Sequence, residues 1–573
     1  MQHVIRRYRF DLFLLLCIPY ALLAWRFWLV VDDAFISFRY ARNFALGHGL
    51  RYNLGAHLPV EGYSNFLWVI NCSLFELLHL DVALWAPLLS ATSGLLLLWL
   101  VFDVLRRRLG LNLVVVCLAT LTLGCFPPFA VWSTGGLETM PFALLVFLTF
   151  ERLVLRPEGP DGFGGGIAAL LLALMRVEGI GWALVILVLA LLSRSNIRQR
   201  NRRPLFTFLL IVGTGFAVYY IWRYSYYQLP LPNTAYTKSS LDAERLLRGA
   251  KYVATHVLTF LTPLLMIPGS VVALRKGRGT IGWSVVTLAW AFPIYAIVVT
   301  GDWLHMGRFL VPGFAFNTIL VAWLLQDIWA PARARRATSL TVAAATIVLG
   351  LLPGWNQHIV PPSVRARFVA RHFARAGFQS EYEWWLDERT RLEKWICRGR
   401  ALRSYAAQRY AGGERPSLVL GPIGAVGYYS DLYIYDRFGL VTAEVGRAAA
   451  RTDLALPSPG HDKHVRRTYF LKYEPTIWAD AAFQHVDPRP LARICRRRAE
   501  EMQRTGSAPL LQEKYGPDIA RVSGDQPDCP VAYIVVWRRL PAGQSPQEAW
   551  GAFQARLDVL AGGNHLPAPR KTY

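Results

Sequence analysis

Two adjacent carboxylates, Asp32 and Asp33, follow the apolar stretch 10–31 without a linker. One acid there would serve as a helix cap or a favourable first-turn charge. A pair at the edge of an apolar segment suits general-base work on a hydroxyl, or the holding of a divalent cation such as Mg2+ or Mn2+ by Asp32 and Asp33 together. If a short helix runs from Asp32 to near Gly47, then Asp33, Ser37 and Tyr40 share one face, and Arg39 and Arg42 share another. The loop continues through Gly47-His-Gly49 and Asn53 to Glu61-Gly-Tyr63-Ser-Asn65-Phe-Leu-Trp68. Its aromatic and polar side chains fit either a sugar site or an interfacial belt.

Four later segments supply further groups: Thr134-Gly-Gly-Leu-Glu138, Arg176-Val-Glu178, Leu231-Pro-Asn233-Thr-Ala-Tyr-Thr-Lys238 and Gly301-Asp302-Trp303-Leu-His305-Met-Gly-Arg308. Arg308 and Lys238 suit a phosphate, the first as a bidentate fork and the second as a point charge. Arg176 and Glu178 interrupt an apolar stretch, where a charge is costly unless it is paired or faces a polar cavity. His305 could act as an acid or a ligand. The run from Gly421 to Gly427 spaces its glycines Gly-x-x-Gly-x-x-Gly, which does not match the dinucleotide fingerprint.

The elements that must position these residues follow from composition. The chain has 573 residues, 54% of them hydrophobic, and a formal charge of +24. Long uncharged runs argue against a soluble nucleic-acid binder, whereas a membrane protein collects Lys and Arg in its cytoplasmic loops. Basic loops at 106–108, 152–156, 194–203, 275–278 and 333–336 alternate with polar, aromatic loops at 32–61, 133–139, 176–179, 230–238 and 301–308. That alternation places the first set in the cytoplasm and the second outside.

It requires full spans at 10–31, 82–105, 111–131, 138–155, 205–225, 253–274, 280–300, 309–329 and 338–353. Residues 167–193 must enter and return, as two half-helices meeting at Arg176-Val-Glu-Gly179. Residues 63–80 read as an interfacial or re-entrant helix. Arg26 and Trp28, rather than small residues, end the first apolar run, so it reads as an uncleaved helix and not a signal peptide. The division is a membrane domain at 1–353, with its first outer loop at 32–80, and a soluble α/β domain at 354–573. In the latter, 382–410 reads as an amphipathic helix, and 418–420, 432–435 and 531–537 as strands. Cys495 and Cys529 are a candidate disulfide there, although Cys397 leaves the pairing open.

The first-loop blocks from Asp32 to Asn53 and from Val60 to Trp68 resemble the multi-span GT-C glycosyltransferases. More closely, together with the four later segments and Gly427-Tyr-Tyr-Ser-Asp-Leu-Tyr-Ile-Tyr-Asp-Arg-Phe-Gly-Leu440, they resemble mycobacterial terminal arabinofuranosyltransferases and the related pilin arabinosyltransferases. The chain has Thr300-Gly-Asp302 where the resemblance expects Gly-Gly-Asp, and Arg-Val-Glu where Arg-Pro-Glu is usual.

The resemblance implies a bacterial inner-membrane enzyme whose active site and C-terminal domain face the periplasm. It would move a sugar, D-arabinofuranose by this likeness, from a polyprenyl-phosphate donor to a periplasmic polysaccharide or glycoprotein. Asp33 or Asp32 would be the base. Arg308, Lys238, Arg176, His305 and Arg39 would face the donor phosphate. Glu61, Tyr63, Asn65, Glu138, Asn233, Asp302 and Trp303 would face sugar and acceptor. Membrane lipids, and no nucleic acid, are the other expected partners. The alternative from another class is a flippase or transporter of lipid-linked sugar, since broken helices with mid-membrane charges also occur in transporters.

Overall fold

The computed structural model describes residues 2–55, 58–195, 203–237, 242–276, 278–329, 333–368, 379–410, 415–448, 463, 465–483, 490–491, 493–494, 513–522, 529 and 533–562. Its first two thirds are helical. α1 (Gln2–Arg26) leads through 27–31 into α2 (Asp32–Ala45), on which α3 (Phe66–Leu77) packs. The residue before the first turn of α2 is Val31, so Asp32 is its first helical residue and not its cap. α4 (Val82–Asp103) starts at Asp81, whose side chain accepts the Ala83 N–H, and continues through a π-turn to Arg108.

α5 (Leu113–Gly124) and α6 (Pro127–Thr134) meet at a bend of 56°. This corrects the straight span expected at 111–131. Pro127 and Pro128 supply no N–H to the preceding turn, and Phe126 is held extended before them. α7 (Thr139–Phe150) follows.

α8 (Gly162–Met175) and α9 (Gly179–Ser195) are the two expected half-helices, and they break at Arg176. α10 (Arg203–Tyr227) packs along α8, and α11 (Asn233–Thr237) is a single turn. α12 (Ala243–Phe260) and α13 (Met266–Arg275) meet at 95°, so the expected span 253–274 is a corner and not a rod. Leu261 takes φ +58° there, and a Thr-Pro 3-10 turn follows. α14 (Gly279–Val298), α15 (Phe314–Ile328) and α16 (Arg333–Leu351) complete this part. Among the described residues, five helices are long and apolar enough to cross a membrane, or seven if each bent pair counts as one.

After a short turn, α17 (Pro362–Arg365), comes α18 (Glu381–Arg409). It opens on a capping box: the Ser380 hydroxyl accepts the Glu383 N–H while the Glu383 carboxylate accepts the Ser380 N–H. The strands are β1 (Ser417–Leu420), β2 (Tyr433–Asp436), β3 (Ile477–Phe483), β4 (Tyr515–Arg521) and β5 (Tyr533–Arg539). They form one sheet in the order β2-β1-β3-β5-β4; β1 pairs parallel with β2 and β3, and β5 pairs antiparallel with β3 and β4. α19 (Gly424–Ser430), α20 (Ala443–Arg447) and α21 (Pro546–Gly562) are the remaining helices.

The expected strands at 418–420, 432–435 and 531–537 correspond to β1, β2 and β5, with residues 531–532 outside the described set. β3 and β4 carry Asp, Ala, Gly and Pro in place of a β-branched run, and the sequence pattern does not show them. Cys529 bonds Cys397 of α18, with Cα atoms 5.3 Å apart. Cys495, its other candidate partner, lies outside the described residues.

α19 lies against α2, and its glycines set how closely. A Cβ on Gly424 would sit 1.9 Å from the Asp32 carbonyl oxygen, and one on Gly427 would sit 1.8 Å from the Tyr52 hydroxyl. Two glycines of the Gly-x-x-Gly-x-x-Gly run thus serve a helix contact. Gly424→Ala is expected to destabilise the folded chain by about 1–3 kcal/mol, read as a lowered midpoint in thermal unfolding.

Candidate active site

α2 is clasped on two sides. On the C-terminal side, the Asp32 carboxylate accepts the N–H groups of Ala425 (2.7 Å) and Gly424 (3.2 Å). Two turns on, Arg39 is 1% exposed; it donates to the carbonyls of Tyr52 (2.9 Å), Gly427 (2.7 Å) and Leu432 (2.6 Å) and lies over the Tyr52 ring. Arg42 reaches Asp431 at 3.3 Å.

On the helical side, the Ser37 hydroxyl meets Asn65, and Asn65 Nδ2 donates to Glu138 Oε2 at 2.7 Å. Glu138 Oε1 accepts from Arg176 Nη1 at 2.5 Å, and Arg176 Nε donates to Glu178 at 2.6 Å. A continuous polar chain therefore runs from α2 to the break between α8 and α9, which satisfies the charges there.

Asp33 is the exposed member of the pair, and it lines a cavity of about 410 Å³. Ser37, Tyr63, Asn65, Glu138, Arg176, Asp302, Trp303 and Arg308 line it with Asp33 and one edge of Asp32. Arg308 is gripped by Asp302 in a fork, Nε to Oδ2 at 2.7 Å and Nη2 to Oδ1 at 3.0 Å, which leaves Nη1 outside the fork. Asp33 is near enough for its charge to act on Arg308 and on Glu388. Thr300, at the position where Gly is expected, takes φ +68°. Its carbonyl and hydroxyl accept from Arg248, which holds this strained residue in place before Asp302.

Other expected site residues stand elsewhere. Glu61 pairs with Arg223 (2.6 Å), and its carbonyl accepts the Asn233 N–H. Asn233 Nδ2 donates to the carbonyls of Gly439 and Leu440. Both therefore brace the cavity from behind and are not among its lining residues. His305 is buried and stacked on Trp132, also behind the wall. Arg39 is occupied by carbonyls and is not among the lining residues either, so the structure makes it a clamp and not a phosphate ligand. Lys238 lies outside the described residues.

A divalent cation, the alternative role for Asp32 and Asp33, finds no fitting donor set among the described residues. Both Asp32 oxygens face backbone N–H groups, and no cluster of three His, Cys, Asp or Glu able to hold a metal occurs among the described residues.

The C-terminal part contributes a wall that the sequence pattern does not show: Glu388, Arg391 and Trp395 of α18, with Pro422, Asp436 and Phe438. The Asp436 carboxylate accepts the N–H groups of Phe438, Leu440 and Val441 and so shapes this edge. Glu388 is 2% exposed, pairs with Arg391 at 3.3 Å and is near enough for its charge to act on Asp32. Burial pushes Asp32 and Glu388 up to about 7, partly relieved by the Ala425 N–H in one case and by Arg391 in the other.

An acid raised in this way binds its proton more tightly when folded, so its contribution to stability is lost as pH rises from its unfolded value through about 7. Glu388→Gln removes one such group. The variant should therefore gain on the wild type in melting temperature between about pH 5 and pH 8.

Residues 383–520 match a family described as Domain of unknown function (DUF8728). The solved structures of ArnT from Cupriavidus metallidurans, bound to undecaprenyl phosphate and in the apo state, align at 16% and 17% identity. Each has a TM-score of 0.48 and covers 74% of this chain and 85% of its own. The Terminal beta-(1->2)-arabinofuranosyltransferase of Corynebacterium glutamicum is 28% identical over 327 residues, 50% of this chain and 46% of that protein. The chain thus spans about half the length of the curated relative it matches.

Proposed function

We propose that the protein is a membrane glycosyltransferase that moves a sugar, D-arabinofuranose, from a polyprenyl-phosphate donor to an acceptor hydroxyl. The observation that carries this reading is one cavity in which an exposed carboxylate, Asp33, faces two held guanidinium groups, those of Arg308 and Arg176. Asp33 takes the proton of the acceptor hydroxyl as its oxygen attacks the anomeric carbon. Arg308 and Arg176 stabilise the phosphate that leaves with the prenyl chain, through donors already oriented by Asp302, Glu138 and Glu178. Asp32 is a positioning residue. The sugar identity rests on the Corynebacterium relative and on the first-loop motifs.

The same reading places residues 1–353 as the membrane domain and 354–573 as an outer domain. The cavity would open on the periplasmic face of a bacterial inner membrane, toward a cell-envelope glycan or glycoprotein.

Purified protein given a synthetic polyprenyl-phosphoryl arabinofuranose and an arabinofuranose oligosaccharide should release polyprenyl phosphate and lengthen the oligosaccharide. Translocation of the lipid across proteoliposomes with the glycosidic bond intact would instead identify a flippase. Arg308→Lys keeps the charge but loses the fork, and should lower kcat about tenfold, measured as polyprenyl phosphate released at saturating donor.

A further inference from the structure

We propose that one face of α18 is the acceptor-sugar subsite, with Trp395 as its platform and Arg391 and Glu388 as the groups that take the sugar hydroxyls. The proposal rests on the transfer reading above. Residues 384, 388, 391 and 395 are spaced i, i+4, i+7 and i+11, which makes them a single stripe on the helix. Trp384 anchors the stripe: it is buried and meets Trp303 edge-on, with ring centroids 5.2 Å apart. The other three line the cavity.

The chemistry of the stripe fits a sugar. The Arg391 guanidinium lies 4.4 Å from the Trp384 ring centroid, 3.3 Å from Glu388 Oε2 and 3.2 Å from Asp387 Oδ2, so three neighbours fix its plane. At 27% side-chain exposure it still faces the cavity. Trp395 is half-buried. An indole face beside a planar donor fork and a carboxylate offers an apolar surface for sugar C–H groups, with donors and an acceptor for adjacent hydroxyls.

The register of this stripe against the base is also built in. Glu388 lines the same cavity as Asp32 and Asp33, and α19, which packs on α18, holds the Asp32 carboxylate through the N–H groups of Gly424 and Ala425. A sugar seated on α18 is therefore fixed relative to the carboxylate that must receive its proton. The cationic groups Arg308 and Arg176 come from the helical part, so donor phosphate and acceptor approach from different walls.

The test is steady-state kinetics of the full chain with a synthetic polyprenyl-phosphoryl arabinofuranose and an arabinofuranose oligosaccharide. It is paired with calorimetric binding of that oligosaccharide in the absence of donor. Trp395→Ala and Arg391→Ala should each raise the acceptor KM about tenfold or more and weaken binding in parallel, with the donor KM held within about twofold. Trp395→Phe should recover most of the loss. Thermal melting identifies a variant that fails to fold, and for such a variant Trp395→Phe and Arg391→Lys carry the comparison.

Wild-type acceptor KM and binding in both variants would overturn the subsite and leave the transfer reading intact. Oligosaccharide binding that weakens in the variants of a protein that transfers nothing would support the subsite and overturn the transfer reading.

Discussion

Asp33→Asn is expected to lower kcat about a hundredfold to ten-thousandfold while moving the melting temperature little. Asp33 is exposed to the cavity, so the loss falls on proton transfer and not on packing. Its neighbour should behave in the opposite way. Asp32 is buried, and its two oxygens accept N–H groups from Gly424 and Ala425. Asn can offer only one oxygen there and turns an NH2 toward the other donor. Asp32→Asn is therefore expected to cost about 1–3 kcal/mol of stability, with any loss of turnover following from misplacement of α2. Measuring kcat and melting temperature for both variants separates the two roles. Wild-type turnover in Asp33→Asn would remove it as the base.

Arg39→Ala should have the largest effect on stability. The guanidinium is buried and satisfies carbonyls at Tyr52, Gly427 and Leu432 while covering the Tyr52 ring. Truncation removes all three bonds, leaves the Tyr52 and Gly427 carbonyls with only their longer bonds from Asn43 and Asp431, and opens a gap between α2 and the C-terminal part. The expected cost is about 3–5 kcal/mol. The chain should become sensitive to limited proteolysis at 379–448 under conditions where the wild type resists. Arg39→Lys cannot span three carbonyls and should recover little. Wild-type stability in Arg39→Ala would contradict the clamp.

What the sequence made legible depended on how local the signal was. The break at Arg176 could be read because two basic loops flank one apolar stretch; α8 ends there and α9 begins at Gly179. The Asp32-Asp33 pair could be singled out because it immediately follows an apolar run, and the cavity lining includes both residues. Arg39 could not be assigned correctly: an arginine beside an acid pair looks the same whether its partner is a phosphate or a carbonyl 388 residues away. Glu61 and Asn233 misled for the same reason, since their partners are Arg223 and the 439–440 backbone. Glu388, Arg391 and Trp395 sit in a helix that could be recognised as amphipathic, but periodicity does not say which face meets another part of the chain. The corners at Phe126 and Leu261 were visible only as Pro127-Pro128 and Thr262-Pro263, each weak beside the hydropathy of the stretch around it.

In the proposed reaction, the donor phosphate and the Asp33 carboxylate face each other across one cavity. A density map of the full chain with a non-hydrolysable polyprenyl-phosphoryl arabinofuranose analogue bound would show both. The phosphate is expected within hydrogen-bond reach of Arg308 and Arg176, and Asp33 on the side of the anomeric carbon away from the phosphate. A phosphate seated away from both arginines, or a sugar that Asp33 does not face, would contradict this arrangement.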